Sequence, residues 1–293
     1  MAAYVAWWQG DFIDVRDHSQ NGLALYNPDQ HGAGVAAYNQ NPGIICGYLT
    51  ALSNWALGYP DRATLAMEST LARTRSLAHP YSIAITLLFA AQLSQLRRDA
   101  VGARTQAEEA LAISAEHGLD AVWLWCLLPR GWAIAQEGDV PAGITDICEA
   151  MARRRAVNIG AVWPWFYTVL AEAYAADGQV ATGLETVSEA LQWVQRNDER
   201  LYEAEAHRVK GELLLKHDLA DEAQRCFQQA LAVAREHQAK SWELRAATSL
   251  ARMWLQQNRT DEARRLLAPV YDWFTEGFDT ADLVEAKALL DQL

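Results

Sequence analysis

The chain has 293 residues, 51% of them hydrophobic and 21% charged, with a formal net charge of −12. That is ample for a packed core, and the acidic balance repels phosphate backbones and so argues against nucleic acid as a direct partner. No apolar run approaches the ~18 residues of a membrane span, and "MAAYVAWWQGDF" has neither the basic lead-in nor the apolar core of an export signal. The four cysteines (Cys46, Cys126, Cys148, Cys226) show no CxxC spacing and read as small buried hydrophobes in a reducing compartment. A cytoplasmic protein is expected, with no membrane partner.

In chain order, "YVAWWQGDFIDVRDHSQNGLAL" places Gly10, Val15, Gly22 and Leu23 in a pattern that returns throughout the sequence. Its first helix is short, which reads as the C-terminal piece of a longer protein. "YNPDQHGAGVAAYNQNPG" (26–43) is a longer connection. Its "GAG" at 32–34 follows no strand, so no phosphate site is expected there. "ALSNWALGYPDRATLAMESTLA" then supplies Ala51, Gly58, Ala63 and Leu71 in the same register.

From there the period is forty residues. One small column runs Ala91, Gly131, Ala171, Gly211, Ala251, and a second runs Ala103, Gly143, Gly183, Ala223, Ala263. A third runs Ala110, Ala150, Ala190, Ala230, Val270, each followed by a larger residue: Leu111, Met151, Leu191, Leu231 or Tyr271. Between the first two lies a turn column, Arg98, Gly138, Gly178, Asp218, Asn258. Four of these five tolerate a left-handed backbone, and Arg98 is the exception. The near-identical words "AVWLW" (121–125) and "AVWPW" (161–165) are one more column of this repeat.

Each unit carries two amphipathic helical patterns around its turn. In the fifth, Leu170, Ala171 and Tyr174 form one stripe, and Leu184, Val187, Leu191 and Val194 form the other. Small residues at fixed places let the paired helices approach closely. The fold class is all-α. An α-solenoid superhelix of about seven helix hairpins is expected, as one domain over 1–293. The units are roughly 1–28, 44–79, 81–118, 120–157, 160–197, 199–237 and 240–274, and 279–293 is a capping helix.

The small/large/small grammar resembles the tetratricopeptide repeat (TPR), lengthened by longer helices. "ERLYEAEAHRVKGELLL" (199–215), "GWAIAQEGDVPAGI" (131–144) and "NWALGYPDRA" (54–63) resemble the C-terminal repeat region of large bacterial signalling ATPases linked to class III adenylate or guanylate cyclases. The resemblance implies a repeat domain that senses or scaffolds while chemistry happens upstream. No GxxxxGK[ST] loop occurs in this sequence, so the resemblance brings no catalytic residue with it.

Other chemistry is sparse. No HExxH, GxSxG or dense Asp/Glu/His cluster appears, so no catalytic residue, metal or cofactor is expected and the chain reads as a non-enzyme. His207 and His217 have no ligand companions at metal spacing, and "NRT" at 258–260 lies in a repeat turn. "RRR" at 153–155 reads as exposed cations favoured by a helix C-terminus. Arg130 and Lys210 stand where leucine stands in other units. Local salt bridges are expected of them, to Glu203 or Glu205 in the case of Lys210.

In TPR proteins the first helix of each hairpin lines the concave surface. By that resemblance the inward stripe reads Ile45, Tyr48, Leu52, Trp55; Leu88, Gln92, Gln95; Trp125, Leu128, Trp132; Trp165, Thr168, Glu172; Glu205, Arg208, Glu212; and Arg245, Thr248, Arg252. The candidate partner-binding residues are Tyr48, Trp55, Gln92, Trp125, Trp132, Trp165, Glu172, Arg208, Glu212, Arg245 and Arg252. They make a groove that is aromatic first and ionic last. The Lys/Asn carboxylate clamp of chaperone-binding members is absent from these positions. Two functions remain open: a groove for a protein or peptide segment, including the catalytic portion of the same parent protein, or a small-molecule sensor with a Trp-lined pocket.

Overall fold

The computed structural model describes residues 2–27, 41–157 and 161–293. The "GAG" stretch and most of the 26–43 connection lie outside them. Among the described residues the secondary structure is helical throughout, in fifteen helices. They pair as α1 (Ala2–Gln9) with α2 (Phe12–Leu25), α3 (Pro42–Ala56) with α4 (Pro60–Ser76), α5 (Pro80–Leu96) with α6 (Ala100–His117), and α7 (Asp120–Gln136) with α8 (Val140–Ala156). Then come α9 (Trp163–Ala176) with α10 (Val180–Asn197), α11 (Glu203–Leu215) with α12 (Ala220–Glu236), α13 (Lys240–Gln256) with α14 (Thr260–Tyr271), and the single helix α15 (Ala281–Leu290). This is a succession of helix hairpins ended by one capping helix, the expected all-α class. No described helix is long and apolar enough to cross a membrane.

The turns follow one physical recipe. In the turn column all five residues take positive φ: Arg98 61°, Gly138 109°, Gly178 77°, Asp218 61° and Asn258 60°. Arg98 is therefore no exception. Its N–H donates to Gln95 O at 3.0 Å and Asp99 N–H to Ser94 O at 2.9 Å. That pair of bonds satisfies the last carbonyls of α5 and fixes the left-handed residue whatever its side chain. A second left-handed column, between hairpins, escaped the sequence reading: Ala78, Gly118, Asp198 and Gln238 at φ 49°, 65°, 55° and 52°. Asp99 and Asp139 then start the next helices by accepting from Gly102 N and Ala142 N.

The chain divides into two compact units. The first comprises Met1–Trp7, Ile13–Trp55 and Asp61–Gly160, and the second Trp8–Phe12, Ala56–Pro60 and Ala161–Leu293. In the first, the small columns bring α7 and α8 into backbone contact. A Cβ added at Gly143 would lie 2.3 Å from the Gly131 carbonyl oxygen, and one at Gly131 would lie 2.7 Å from that of Gly143. Backbone cannot yield as a side chain can, so Gly143→Ala is expected to destabilise by ~1–3 kcal/mol, read as a lower urea midpoint. A wild-type midpoint would mean that the two helices lie farther apart than described.

In the second unit a Cβ at Gly183 would meet Leu213 at 2.9 Å and the Ala171 carbonyl at 3.1 Å. Ala171, Val187, Ala190, Ala206, Val209 and Leu213 form one core cluster. A larger cluster runs from Leu214 and Phe227 through Leu250 and Leu267 to Leu283, Ala286 and Leu289. Helix α15 thus closes that core with its own apolar stripe. Tyr174 and Leu191, expected on the packing stripes of the fifth unit, are only half-buried.

Candidate functional site

The structure separates the eleven candidate residues into two kinds. Tyr48, Trp55, Gln92, Trp132 and Trp165 are buried, which corrects the expectation of reachable aromatic faces. Tyr48 stacks on Phe89 at 4.1 Å and shares a hydrogen bond with the Tyr4 hydroxyl. Burial pushes the Tyr48 hydroxyl well above its ordinary value, and that of Tyr4 up to about 12. Trp165 is 1% exposed and lies parallel to Tyr202 at 5.9 Å, and Tyr202 meets Trp242 at 5.6 Å. The physical reason is area: an indole buries ~150–250 Å², more than an open stripe gains by showing it. Trp125 is half-buried, and its ring lies 5.1 Å from the Arg154 guanidinium carbon.

Arg154 itself overturns the reading of "RRR" as three surface cations. It is fully buried, at 0% exposure. Its position is seven after Ile147 and four after Ala150, so it continues the core face of α8. Its neighbour Arg153 is exposed, lying 5.1 Å from the Trp123 ring and 2.7 Å from Glu149. Arg130 pairs with Asp146 as expected, through Nε at 2.6 Å and a second nitrogen at 2.9 Å. Glu203 and Glu205 do not serve Lys210: they are taken by Arg200, Arg208 and Arg245.

The remaining candidates converge in the second unit. Helix α11 presents Glu205, Arg208 and Glu212 one turn apart. Arg208 donates to Glu205 through two nitrogens at 2.9 Å and to Glu172 of α9 at 2.7 Å, with Glu212 at 3.5 Å. Arg245 of α13 donates to Glu205 at 3.2 Å and to Asp282 of α15 at 2.8 Å, its guanidinium 5.1 Å from the Trp242 ring. Ser249 donates to Glu212 at 2.6 Å, and Arg252 pairs with Glu285 and lies 3.9 Å from Glu212. Five carboxylates and three guanidiniums thus form one ladder across α9, α11, α13 and α15.

Burial and partners set the charges. Burial works against the Glu205 charge, but Arg208 and Arg245 outweigh it and hold its carboxyl below the usual range. Burial pushes the Glu172 carboxyl up, against the pull of Arg208. For Arg208 burial is likewise opposed, and Glu205, Glu172 and Glu212 keep it firmly protonated. The buried end of the ladder is Glu205, Arg208, Arg245 and Asp282. Its half-exposed end is Glu172, Glu212, Arg252 and Glu285.

Sequence reading missed Asp282, Glu285 and Ser249, yet a signal existed. Three of the rungs join residues separated by 36 or 37 positions: Arg208 with Glu172, Ser249 with Glu212 and Arg245 with Asp282. That separation is one repeat less one helical turn. No group of three or more His, Cys, Asp or Glu among the described residues is arranged to hold a metal.

Compared with known proteins, the sequence matches no family model and no curated protein. Solved structures do resemble it. The Rap conjugation gene regulator of the plasmid pLS20, in complex with the Phr* peptide, has a TM-score of 0.65 at 10% identity over 99% of this chain and 73% of that one. NprR in complex with its cognate peptide NprX has a TM-score of 0.61 at 14% identity, over 94% and 80% of the two chains. A signal transduction ATPase with a tetratricopeptide repeat sensor, PH0952 from Pyrococcus horikoshii, has a TM-score of 0.50 at 16% identity, over 86% and 38%. At such identities the likeness is one of fold. The fold is TPR-like.

Proposed function

We propose that this chain is a non-catalytic regulatory or scaffolding repeat protein that binds a peptide or protein segment along the stripe of α9, α11, α13 and α15. The observation that carries the reading is the half-exposed end of the charged ladder. Glu172, Glu212, Arg252 and Glu285 lie in a row on four helices, each side chain about a third exposed, so charged groups of both signs reach the surface along one stripe. A row of this kind suits an extended partner better than a compact one, because successive rungs meet successive residues. Two of the similar structures hold peptides, and the third is a signal transduction ATPase with TPR sensor repeats, which supports a place in a larger signalling system whose catalytic portion is a candidate partner. The alternative, a Trp-lined pocket for a small molecule, has lost three of its four candidate rings, Trp55, Trp132 and Trp165, to the core.

The test is an array of immobilised random decapeptides probed with the purified chain and with Glu212→Ala/Arg252→Ala. Sequence-selective retention by the wild type is expected, weakened at least ~10-fold in the double variant at an unchanged melting temperature. Retention of no peptide, or equal retention by both proteins, would overturn the assignment of the stripe.

A further inference from the structure

Two turn glycines of the second unit differ from their counterparts elsewhere in the repeat. At Gly118, Gly138 and Gly178, all with positive φ, an added Cβ would meet nothing within 4 Å. At Gly10 (φ 75°) it would lie 3.4 Å from His237 Nδ1 and 3.5 Å from the Arg200 carbonyl oxygen. At Gly58 (φ 88°) it would lie 2.5 Å from the Trp273 ring, 2.8 Å from Lys240 Cβ and 3.1 Å from Phe274. The turns of the first two hairpins are therefore covered. They are docked on the links α10–α11 and α12–α13 and on the segment after α14.

The two docks differ in chemistry. The Gly58 turn is held by ring contacts: Tyr59 meets Trp273 at 5.5 Å, and Pro60 packs where a Gly277 Cβ would stand, at 2.1 Å. At the Gly10 turn the Arg200 N–H donates to Trp8 O at 2.8 Å, and the imidazole of His237 lies alongside. His237 Nε2 is buried and has no hydrogen-bond partner. That is tolerable for a neutral ring and costly for an imidazolium, whose second N–H would have no acceptor.

We infer that the Gly10 turn is an acid-released clasp on the α12–α13 link, opened by a proton on His237. The charged groups facing that ring are Arg200 from the α10–α11 link, Glu203 at the start of α11, Glu236 at the end of α12 and Asp11 on the turn itself. Arg200 already draws on Glu203 at 2.8 Å and on Glu236 at 3.2 Å, so a second cation would compete for the same carboxylates. Burial pushes the ring down from its ordinary value and Arg200 adds to this, while Glu236, Glu203 and Asp11 pull the other way.

The sign follows from linkage. A histidine depressed while docked and ordinary when released leaves the clasp at full strength above about pH 6.5. The clasp then weakens as pH falls toward the docked value, by up to about tenfold per unit. The Gly58 dock, whose nearest neighbours are Trp273, Lys240 and Phe274, serves as an internal control.

The experiment is hydrogen exchange of the full chain at pH 7.5 and 5.5, corrected for intrinsic rates. It follows the Arg200 amide, which reads the bond to Trp8 directly, and the 56–60 segment. Arg200 protection is expected to fall at least ~5-fold in acid while 56–60 holds. In His237→Gln both should be independent of pH. Unchanged Arg200 protection in the wild type, or an equal fall in His237→Gln, would overturn the clasp. Should His237→Gln leave Arg200 unprotected at both pH values, the imidazole titration of the wild type decides by NMR. A midpoint below about 6.5 that drops further in Asp11→Asn supports the clasp, and a midpoint at or above 6.5 overturns it.

Discussion

Truncating Trp165 to alanine should lower the unfolding free energy by ~3–5 kcal/mol, the range for emptying a large packed core site. The ring is 1% exposed, parallel to Tyr202 at 5.9 Å and edge-on to Phe166 at 6.0 Å. Its removal leaves a void between α9 and the start of α11 and strips Tyr202 of one face. Tyr202 also contacts Trp242, beside which Arg245 lies, so the void adjoins the charged ladder. Urea unfolding should show a lower midpoint at an unchanged slope. Trp125→Ala, at a half-buried ring, should lose much less, and so should Tyr174→Ala. Acrylamide should reach Trp165 and Trp132 poorly in the folded chain. A Trp165→Ala variant as stable as the wild type would place the indole outside the core and restore it as a groove residue.

What the sequence made legible here is close approach. Where two backbones touch, as at Gly131 and Gly143, only the smallest residue fits, and the column can be read without a structure. Turn geometry was legible only where a side chain advertises it. Gly138, Asp218 and Asn258 are such residues. Arg98, Ala78 and Gln238 take the same left-handed backbone because two hydrogen bonds close each helix end and offset the ~1–2 kcal/mol penalty. The facing of the tryptophans was not legible. A ring on the first helix of a hairpin points either to open space or toward the next hairpin. Which occurs depends on the residue that meets it, Tyr202 in the case of Trp165, and the matching positions Val122, Val162 and Trp242 share no residue type that announces the contact.

The ionic half of the stripe read better for a related reason. Glu172, Arg208, Glu212, Arg245 and Arg252 are long enough to span from one hairpin to the next, so their column predicts their neighbours to within a helical turn. Asp282 and Glu285 were missed because α15 reads as a cap, and a cap is not searched for stripe residues, although Glu285 stands forty after Arg245. They stand where the next inward helix would present its stripe, and they neutralise Arg245 and Arg252 there. Helix α15 thus balances Arg245 and Arg252 as well as packing on the core.

Arg208→Met should be as damaging as any core truncation. Arg208 stands between Glu205 and Glu172 with its side chain 14% exposed, and Glu205 is more deeply buried still, at 6%. Removing the guanidinium leaves Glu205 with Arg245 alone and Glu172 without its bonded partner. Breaking a buried pair in this way costs ~3–5 kcal/mol, because a buried charge is left uncompensated. Adding Glu205→Met should recover part of the loss, since the penalty lies in the orphaned carboxylate rather than in the missing bond. The pH dependence fixes the mechanism. In the wild type the Glu205 carboxyl is depressed, so its contribution is complete above the unfolded value of about 4.3 and is lost as pH falls through the folded one. Without Arg208, burial dominates and the carboxyl rises, so the acid limb of the stability curve should move to higher pH in Arg208→Met and return in the double variant. Arg208→Lys keeps the charge but lacks the fork that serves Glu205 and Glu172 together, and should fall between the two. An Arg208→Met protein with wild-type stability and an unmoved acid limb would show that the ladder is a surface ornament, and the stripe would then have no rigid base on which to hold a partner.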